Sequence, residues 1–206
     1  MNMTPGRDNW GQFMMPDGSI IKVGDESEQI AYDSDIIPAT PGTAEYIFFR
    51  NPTFSTGAVK TFGLDHNMPE WGRVPKDWYY SILTLGFHAQ AGIGSWDLQA
   101  LVNRAYMVFR TGSQKIEADG LLMFYPFGVG LGGAVSTSAP LAVEASGLNI
   151  GTPATASVAI RAYRINLPEQ TSFECRLSFP AAVGAIFSAA LQVYADLRVI
   201  RSRPVS

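Results

Sequence analysis

Residues 171–179, Thr-Ser-Phe-Glu-Cys-Arg-Leu-Ser-Phe, alternate apolar and polar side chains along almost their whole length. Successive side chains of a β-strand point to opposite faces, so this alternation predicts a half-buried strand. The predicted inward face consists of Phe173, Cys175, Leu177 and Phe179. The predicted outward face consists of Glu174, Arg176 and Ser178. Cys175 is therefore expected to act as a small buried hydrophobe rather than as a nucleophile.

The same two-residue period recurs elsewhere in the chain. Residues 190–200 place Leu191, Val193, Ala195, Leu197 and Val199 on one face. Residues 77–90 are apolar on both faces, which predicts a central strand. Further strands are predicted at 45–50, 104–110, 120–125 and 157–165.

Seven to nine strands with few helices predict an all-β fold. For residues 96–103 a helix capped by Ser95 and a strand remain equally open, with Asp97 well placed for the first helical turn. Many short strands joined by Gly, Pro and Ser turns are typical of an antiparallel β-sandwich, and eight strands in two Greek keys would make a jelly roll. No internal repeat points to a propeller or a solenoid.

The N-terminal segment differs in composition from the rest of the chain. The turn sequence Pro-Asp-Gly-Ser at 16–19 lies between two apolar runs and predicts a hairpin. Residues 26–32 are acidic and predict one helical turn or a loop. We therefore expect an extended N-terminal arm with a small hairpin at 1–44 and a sandwich domain at 45–206.

Composition excludes several functional classes. The chain carries 15 basic and 18 acidic residues, a net charge of −3, and only 16% charged residues. This balance excludes a coiled coil, a disordered acidic tail and a basic nucleic-acid binder, so no direct nucleic-acid contact is expected. A single cysteine excludes a disulfide framework within the chain. No run of about 18 apolar residues predicts a membrane span, and no secretion signal is recognisable at the N-terminus, so synthesis and retention in a cytoplasm are expected.

Patterns that could support chemistry are weak. Residues 128–133 satisfy Gly-x-Gly-x-x-Gly, but Pro126 interrupts the preceding strand and no suitable acidic residue follows about 20 positions on. Asp65-His66 is the one neighbouring acid–histidine pair, and no Gly-x-Ser-x-Gly nucleophile motif accompanies it. Two distant histidines and one cysteine make no zinc site. The sequence predicts no cofactor and no metal.

The order of these features resembles a known class of proteins. Residues 62–75, Phe-Gly-Leu-Asp-His-Asn-Met-Pro-Glu-Trp-Gly-Arg-Val-Pro, lead straight into the strand at 77–90, and a long closing strand ends near Arg201. Between them come Lys115 and the apolar run at 121–131. Over residues 45–201 this layout resembles bacteriophage virion structural proteins of the β-sandwich type, especially small jelly-roll capsid proteins. The length leaves room for one jelly roll at most.

The resemblance implies a subunit that builds a shell. Its partners would be copies of itself and other virion proteins, its mechanism would be assembly, and its location would be the virion, after synthesis in the host cytoplasm. No catalytic residues are implied, so the chain is not expected to be an enzyme. The residues predicted to contact neighbouring subunits are Phe48, Phe49, Trp71, Phe124, Phe127 and Leu131.

Two alternatives stay open. The chain could be a carbohydrate-binding or receptor-binding sandwich of a phage spike or fibre, with Trp71 and Trp96 stacking on sugars. An enzyme on a sandwich scaffold would instead need Asp65, His66 and Glu70 to converge in one pocket.

Overall fold

The computed structural model describes residues 12–15, 17–42, 44–90, 93–112, 115–122, 165–179 and 184–204. Nine strands and one helix lie in these ranges. The strands are β1 Gln12–Met14, β2 Ile20–Ile37, β3 Tyr46–Phe48, β4 Tyr79–Ala89, β5 Tyr106–Thr111, β6 Lys115–Leu121, β7 Ile165–Leu167, β8 Phe173–Ser178 and β9 Leu191–Pro204. The helix, α1, spans Ser95–Arg104.

The strands form two antiparallel sheets. The first has the order β1-β2-β9-β4-β7 and the second the order β3-β8-β5-β6. β1 pairs only with the beginning of β2, whereas β9 pairs with β2 from Val23 to Ile37 and with β4 from Tyr79 to Ala89. The structure therefore confirms the predicted all-β antiparallel sandwich, while the jelly-roll connectivity stays a prediction.

The hydrophobic core lies between the two sheets. Phe48 of the second sheet meets Phe87 of the first edge-on, with ring centroids 6.5 Å apart. Tyr80 and Phe173 make a second contact across the layers, at 6.5 Å. Aromatic pairs at such distances and tilts add to the free energy gained by burying apolar surface. These contacts hold the two sheets face to face.

The predicted inward faces of β8 and β9 are confirmed. Every residue assigned to them is at most 2% exposed: Phe173, Cys175, Leu177 and Phe179 on β8 and just beyond it, and Leu191, Val193, Ala195, Leu197 and Val199 on β9. β4 lies between β9 and β7, as expected for a strand that is apolar on both faces.

The predicted helical turn or loop at residues 26–32 is wrong. These residues belong to β2, and each of them pairs with β9. The acidic, polar sequence has weak strand propensity, but a long partner strand supplies hydrogen bonds that override it. The hairpin before it is confirmed, with Asp17 accepting hydrogen bonds from the Ser19 amide and hydroxyl. The boundary between an arm and a domain at residue 44 stays a prediction.

The helical reading of residues 96–103 is correct. Gly94, and not Ser95, is the N-cap residue of α1, and no side chain caps the helix. Asp97 instead accepts a 2.8 Å hydrogen bond from the Ser188 amide and a shorter one from the Ser188 hydroxyl. β6 begins five residues before the strand predicted at 120–125 and ends at Leu121. Residues 123–125 of that prediction and residues 157–164 of the strand predicted at 157–165 lie outside the described residues.

Candidate functional site

Residues 49–78 join the two sheets and contain no regular strand. We call this segment the β3–β4 connection. One of its side chains ties it to β2: Lys60 donates to both carboxylate oxygens of Asp33, each at 2.9 Å, and neither side chain is exposed. Asp33 also accepts a 2.6 Å hydrogen bond from the Phe49 amide. The connection is therefore fixed to the first sheet by a buried ion pair.

Aromatic rings close around this ion pair. The ammonium nitrogen of Lys60 lies 5.7 Å from the ring centre of Phe54 and 5.6 Å from that of Trp71. Burial raises the pKa of Asp33 to about 6, although the nearby Lys60 ammonium and the Phe49 amide oppose that shift. Both ions are desolvated, so each depends on the other for compensation.

Asp65 and His66 make contacts that stabilise the β3–β4 connection. His66 Nδ1 accepts a 3.2 Å hydrogen bond from the Met68 amide, and its ring packs against Phe62 and Trp71. Burial lowers the pKa of His66, and the Lys60 charge adds to that effect. One Asp65 oxygen accepts from the Thr61 amide at 2.8 Å. These contacts stabilise a turn.

The outer face of the first sheet carries a groove. Strand register aligns two rows across it, Ser34–Tyr194–His88 and Tyr32–Asp196–Gly86. The side chains that line it are Ile30, Tyr32, Leu64, His88, Tyr194 and Asp196, and they enclose about 330 Å³. We call this feature the outer-face groove.

Aromatic stacking and one carboxylate define the chemistry of the groove. The rings of His88 and Tyr194 are parallel within 3°, with centroids 4.8 Å apart. The nearest Asp196 oxygen lies 3.5 Å from His88 Nδ1. Gly86 makes room for this carboxylate, because a Cβ there would lie 2.8 Å from an Asp196 oxygen. Burial raises the pKa of the Tyr194 hydroxyl, and the nearby Asp65 carboxylate adds to that effect.

Large apolar side chains are exposed at the rim of the groove. Ile30 is 57% exposed and Leu64 66% exposed. Phe62, two residues before Leu64, is 67% exposed. Ile30 lies on β2, and the turn that carries Phe62 and Leu64 is held in place, since the Tyr32 hydroxyl donates a 2.8 Å hydrogen bond to the Gly63 carbonyl. The groove and its rim thus form one ordered apolar patch.

The structure separates the residues predicted as a neighbour-contacting set. Phe48 and Phe49 are fully buried in the chain's own core. Trp71 is half-buried, with its ring 4.3 Å from that of His66. Phe124, Phe127 and Leu131, together with the glycine-rich run at 128–133, lie outside the described residues. Trp96, considered for sugar binding, is 71% exposed on α1.

The groove residues carry no motif that marks them in the sequence. Tyr194 and Asp196 lie on the outward face that the β9 alternation predicts, and this is the one signal that could have marked them. Their convergence with Tyr32 and His88 depends on strand register, which places residues from three strands side by side.

Comparison with protein-family models, with curated proteins and with solved structures gave no match to this chain. In the part of the chain that the structure describes, no three His, Cys, Asp or Glu side chains group as a metal site would require. The helix within the described ranges is too short to cross a membrane. Cys175 is fully buried, and burial raises the pKa of its thiol well above the usual range.

Proposed function

We propose that the chain is a virion structural protein, a capsid subunit that acts by assembling with copies of itself and with other virion proteins. It would serve as a major, minor or vertex, or decoration subunit, and its location would be the virion after synthesis in the host cytoplasm. The observation that supports this proposal is the ordered apolar patch at the outer-face groove.

The patch has the composition of a protein–protein contact. Burying apolar surface yields about 25 cal/mol per Å², so Ile30, Phe62 and Leu64 favour a partner that covers them. Tyr32 and Tyr194 add the aromatic side chains that are enriched at such contacts. Asp196 would give a partner one polar group to pair with.

The patch is also rigid enough to be recognised. Tyr32 anchors the turn at residues 62–64, and the Asp33–Lys60 pair anchors the connection that carries it. An interface that is ordered before binding pays less conformational entropy on association. This rigidity suits a subunit that must repeat the same contact many times.

Self-association of the full chain is the direct test. We would measure its mass by light scattering over a range of concentrations and image it by negative stain. Leu64→Asp should shift any oligomer towards the monomer, because it places a charge in the patch. Ile116→Asp is the matched control, since Ile116 is 53% exposed on β6 of the second sheet.

The outcomes separate the proposal from its rivals. Oligomers, sheets or shells that Leu64→Asp weakens and Ile116→Asp leaves intact would support assembly through the patch. Equal effects of both substitutions would exclude the patch as the contact. A monomer at every concentration would exclude self-assembly of this chain through the patch.

One observation favours a second candidate function, a carbohydrate-binding or receptor-binding module of a phage spike or fibre. Parallel His88 and Tyr194 rings beside the Asp196 carboxylate combine a stacking surface with a hydrogen-bond acceptor, as sugars require. A glycan screen tests it: Tyr194→Ala should abolish any binding, whereas Trp96→Ala should not. Binding lost only in Trp96→Ala would move the site to α1.

A further inference from the structure

A second cavity lies at one end of the second sheet. It encloses about 230 Å³ and is lined by Arg50, Trp71, Gly72, Arg73, Arg110, Gly112, Ser172, Phe173 and Glu174. We call it the arginine pocket. Four segments meet there: the end of β3, the middle of the β3–β4 connection, the end of β5 and the start of β8.

Backbone pairing brings these segments together. The Phe173 amide donates to the Gly72 carbonyl at 2.9 Å, and the Gly112 amide donates to the Ser172 carbonyl at 2.8 Å. Gly72 has φ +60°, and a Cβ there would lie 3.3 Å from Arg50. The glycine therefore allows the connection to pass close to the Arg50 side chain, so that Arg73 borders the same cavity as Arg50 and Arg110.

Glu174, the one carboxylate among the described lining residues, is already neutralised. Glu174 Oε2 accepts a 2.7 Å hydrogen bond from Arg50, and Oε1 accepts a 2.6 Å hydrogen bond from Arg176. These arginines lower the pKa of Glu174 against the opposing effect of burial. Glu174 thus acts as the counter-ion of Arg50 and Arg176, and Arg73 leaves the pocket with excess positive charge.

Arg73 is the clearest source of that excess charge. It is exposed, and its side chain donates a 3.3 Å hydrogen bond to the neutral amide of Gln170. Arg50 gives one nitrogen to Glu174 while its side chain stays 56% exposed. A guanidinium has five N–H donors in a planar fork, so both arginines retain donors that can face the cavity.

We propose that the arginine pocket binds an oxyanion, namely a phosphate or sulfate group, either as the free ion or as the charged end of a small molecule. Planar guanidinium forks match the oxygen spacing of such groups. The cavity has room for one oxyanion and a few further atoms. This proposal stands independently of the assembly role.

Titration calorimetry of the full chain at constant ionic strength is the first experiment. Inorganic phosphate and sulfate test the free ion, and glucose 6-phosphate against glucose tests a phosphate carried by a small molecule. A saturable signal with phosphate, sulfate or glucose 6-phosphate and none with glucose would support the proposal. Absence of a saturable signal with all three anions would overturn it.

Substitutions test whether the anion binds at the arginine pocket. Arg73→Gln should weaken the affinity about tenfold, because it removes a charge-assisted contact. The affinity of Arg73→Lys should lie between those of the unmodified chain and Arg73→Gln, since lysine keeps the positive charge but lacks the planar fork of N–H donors. Arg104→Gln is the matched control, an exposed arginine in the last turn of α1, and should leave the affinity unchanged. Equal affinity in Arg73→Gln and the unmodified chain would overturn the assignment.

A further pair of variants distinguishes loss of anion binding from loss of folding. Ser172→Asp places a negative charge at the pocket and should abolish anion binding. Ser178→Asp puts the same charge on the same face of β8, six residues or about 20 Å away, beyond the screening length at physiological salt. Circular dichroism and the thermal midpoint show whether each variant is folded. Equal binding by both folded variants would contradict the proposal.

Discussion

Side chains between the two sheets and side chains in the β3–β4 connection are buried by different kinds of contact. Between the sheets, apolar residues such as Phe48, Phe87 and Leu197 are at most 1% exposed and contact one another. In the connection, Lys60, Asp65 and His66 are 5–8% exposed and reach that burial through hydrogen bonds and one ion pair.

The difference shows which contacts specify the position of the connection. Apolar packing is non-directional and tolerates exchange of residues of similar volume. A buried ion pair or hydrogen bond requires one partner in one geometry, because an unpaired buried polar group is costly. We infer that the core stabilises the sandwich and that the polar contacts hold the connection on β2.

The largest expected effect comes from breaking the buried ion pair. Lys60→Ala leaves the Asp33 carboxylate without its 2.9 Å partner, and the free energy of unfolding should fall by about 3 to 5 kcal/mol. Chemical denaturation measures it. The double variant Asp33→Asn with Lys60→Met should recover much of the loss, since it buries no charge and Asn can still accept from the Phe49 amide. If the double variant is no more stable than Lys60→Ala, the loss of stability comes from altered packing and not from the unpaired charge.

A deletion in the apolar core comes next. Leu197→Ala removes a fully buried side chain of β9 and should cost about 3 kcal/mol, within the range for such cavities. Ile200→Ala, on the same strand but only half-buried, is the control and should cost less. Equal losses would contradict the assigned faces of β9.

Removing a polar contact at the edge of β2 should have a smaller effect. Asn67 pairs with this edge, since its side chain accepts from the Tyr32 amide at 2.8 Å and donates to the Ile30 carbonyl at 2.6 Å. Asn67→Ala should lower the free energy of unfolding by about 1 to 2 kcal/mol. Asn51→Ala, an exposed residue in the same connection, should change it little. Faster hydrogen exchange at the Tyr32 amide would confirm the cause.

The smallest expected effect is a pH dependence at His66. Its pKa is lowered from 6.5 in the folded chain, so the unfolded chain takes up the proton first and stability falls as the pH drops through about 6.5. His66→Asn offers an oxygen to the Met68 amide in place of Nδ1 and does not titrate. The unmodified chain should therefore lose stability relative to this variant between pH 7.5 and 5.5.

Asp33 has the opposite effect on stability over the acidic part of that pH range. Its pKa is raised from 3.8 to about 6, so its contribution to stability increases as the pH falls from 6 towards 4. Asp33 is present in the unmodified chain and in His66→Asn, so the difference between their pH profiles reports the effect of His66. Parallel pH profiles of the two chains would contradict the assigned role of His66.

The sequence alone predicted the strands that follow a simple period. The alternation in β8 and β9 predicted their buried faces, and the Pro-Asp-Gly-Ser turn predicted the first hairpin. These features are local, because each depends on neighbouring residues in the chain. The sequence could not reveal that β2 continues through residues 26–32, since their strand state depends on pairing with β9, more than 150 residues later.

The contrast between the two regions repeats at the candidate sites. Alternation determined that Tyr194 and Asp196 point outward, and composition determined that the chain is poor in charge and rich in turns. Only the tertiary structure decided that Tyr194 lies beside His88, that Lys60 meets Asp33, and that Arg50 and Arg73 border one cavity. The physical reason is that side-chain direction follows from local backbone geometry, whereas proximity follows from register and long-range pairing.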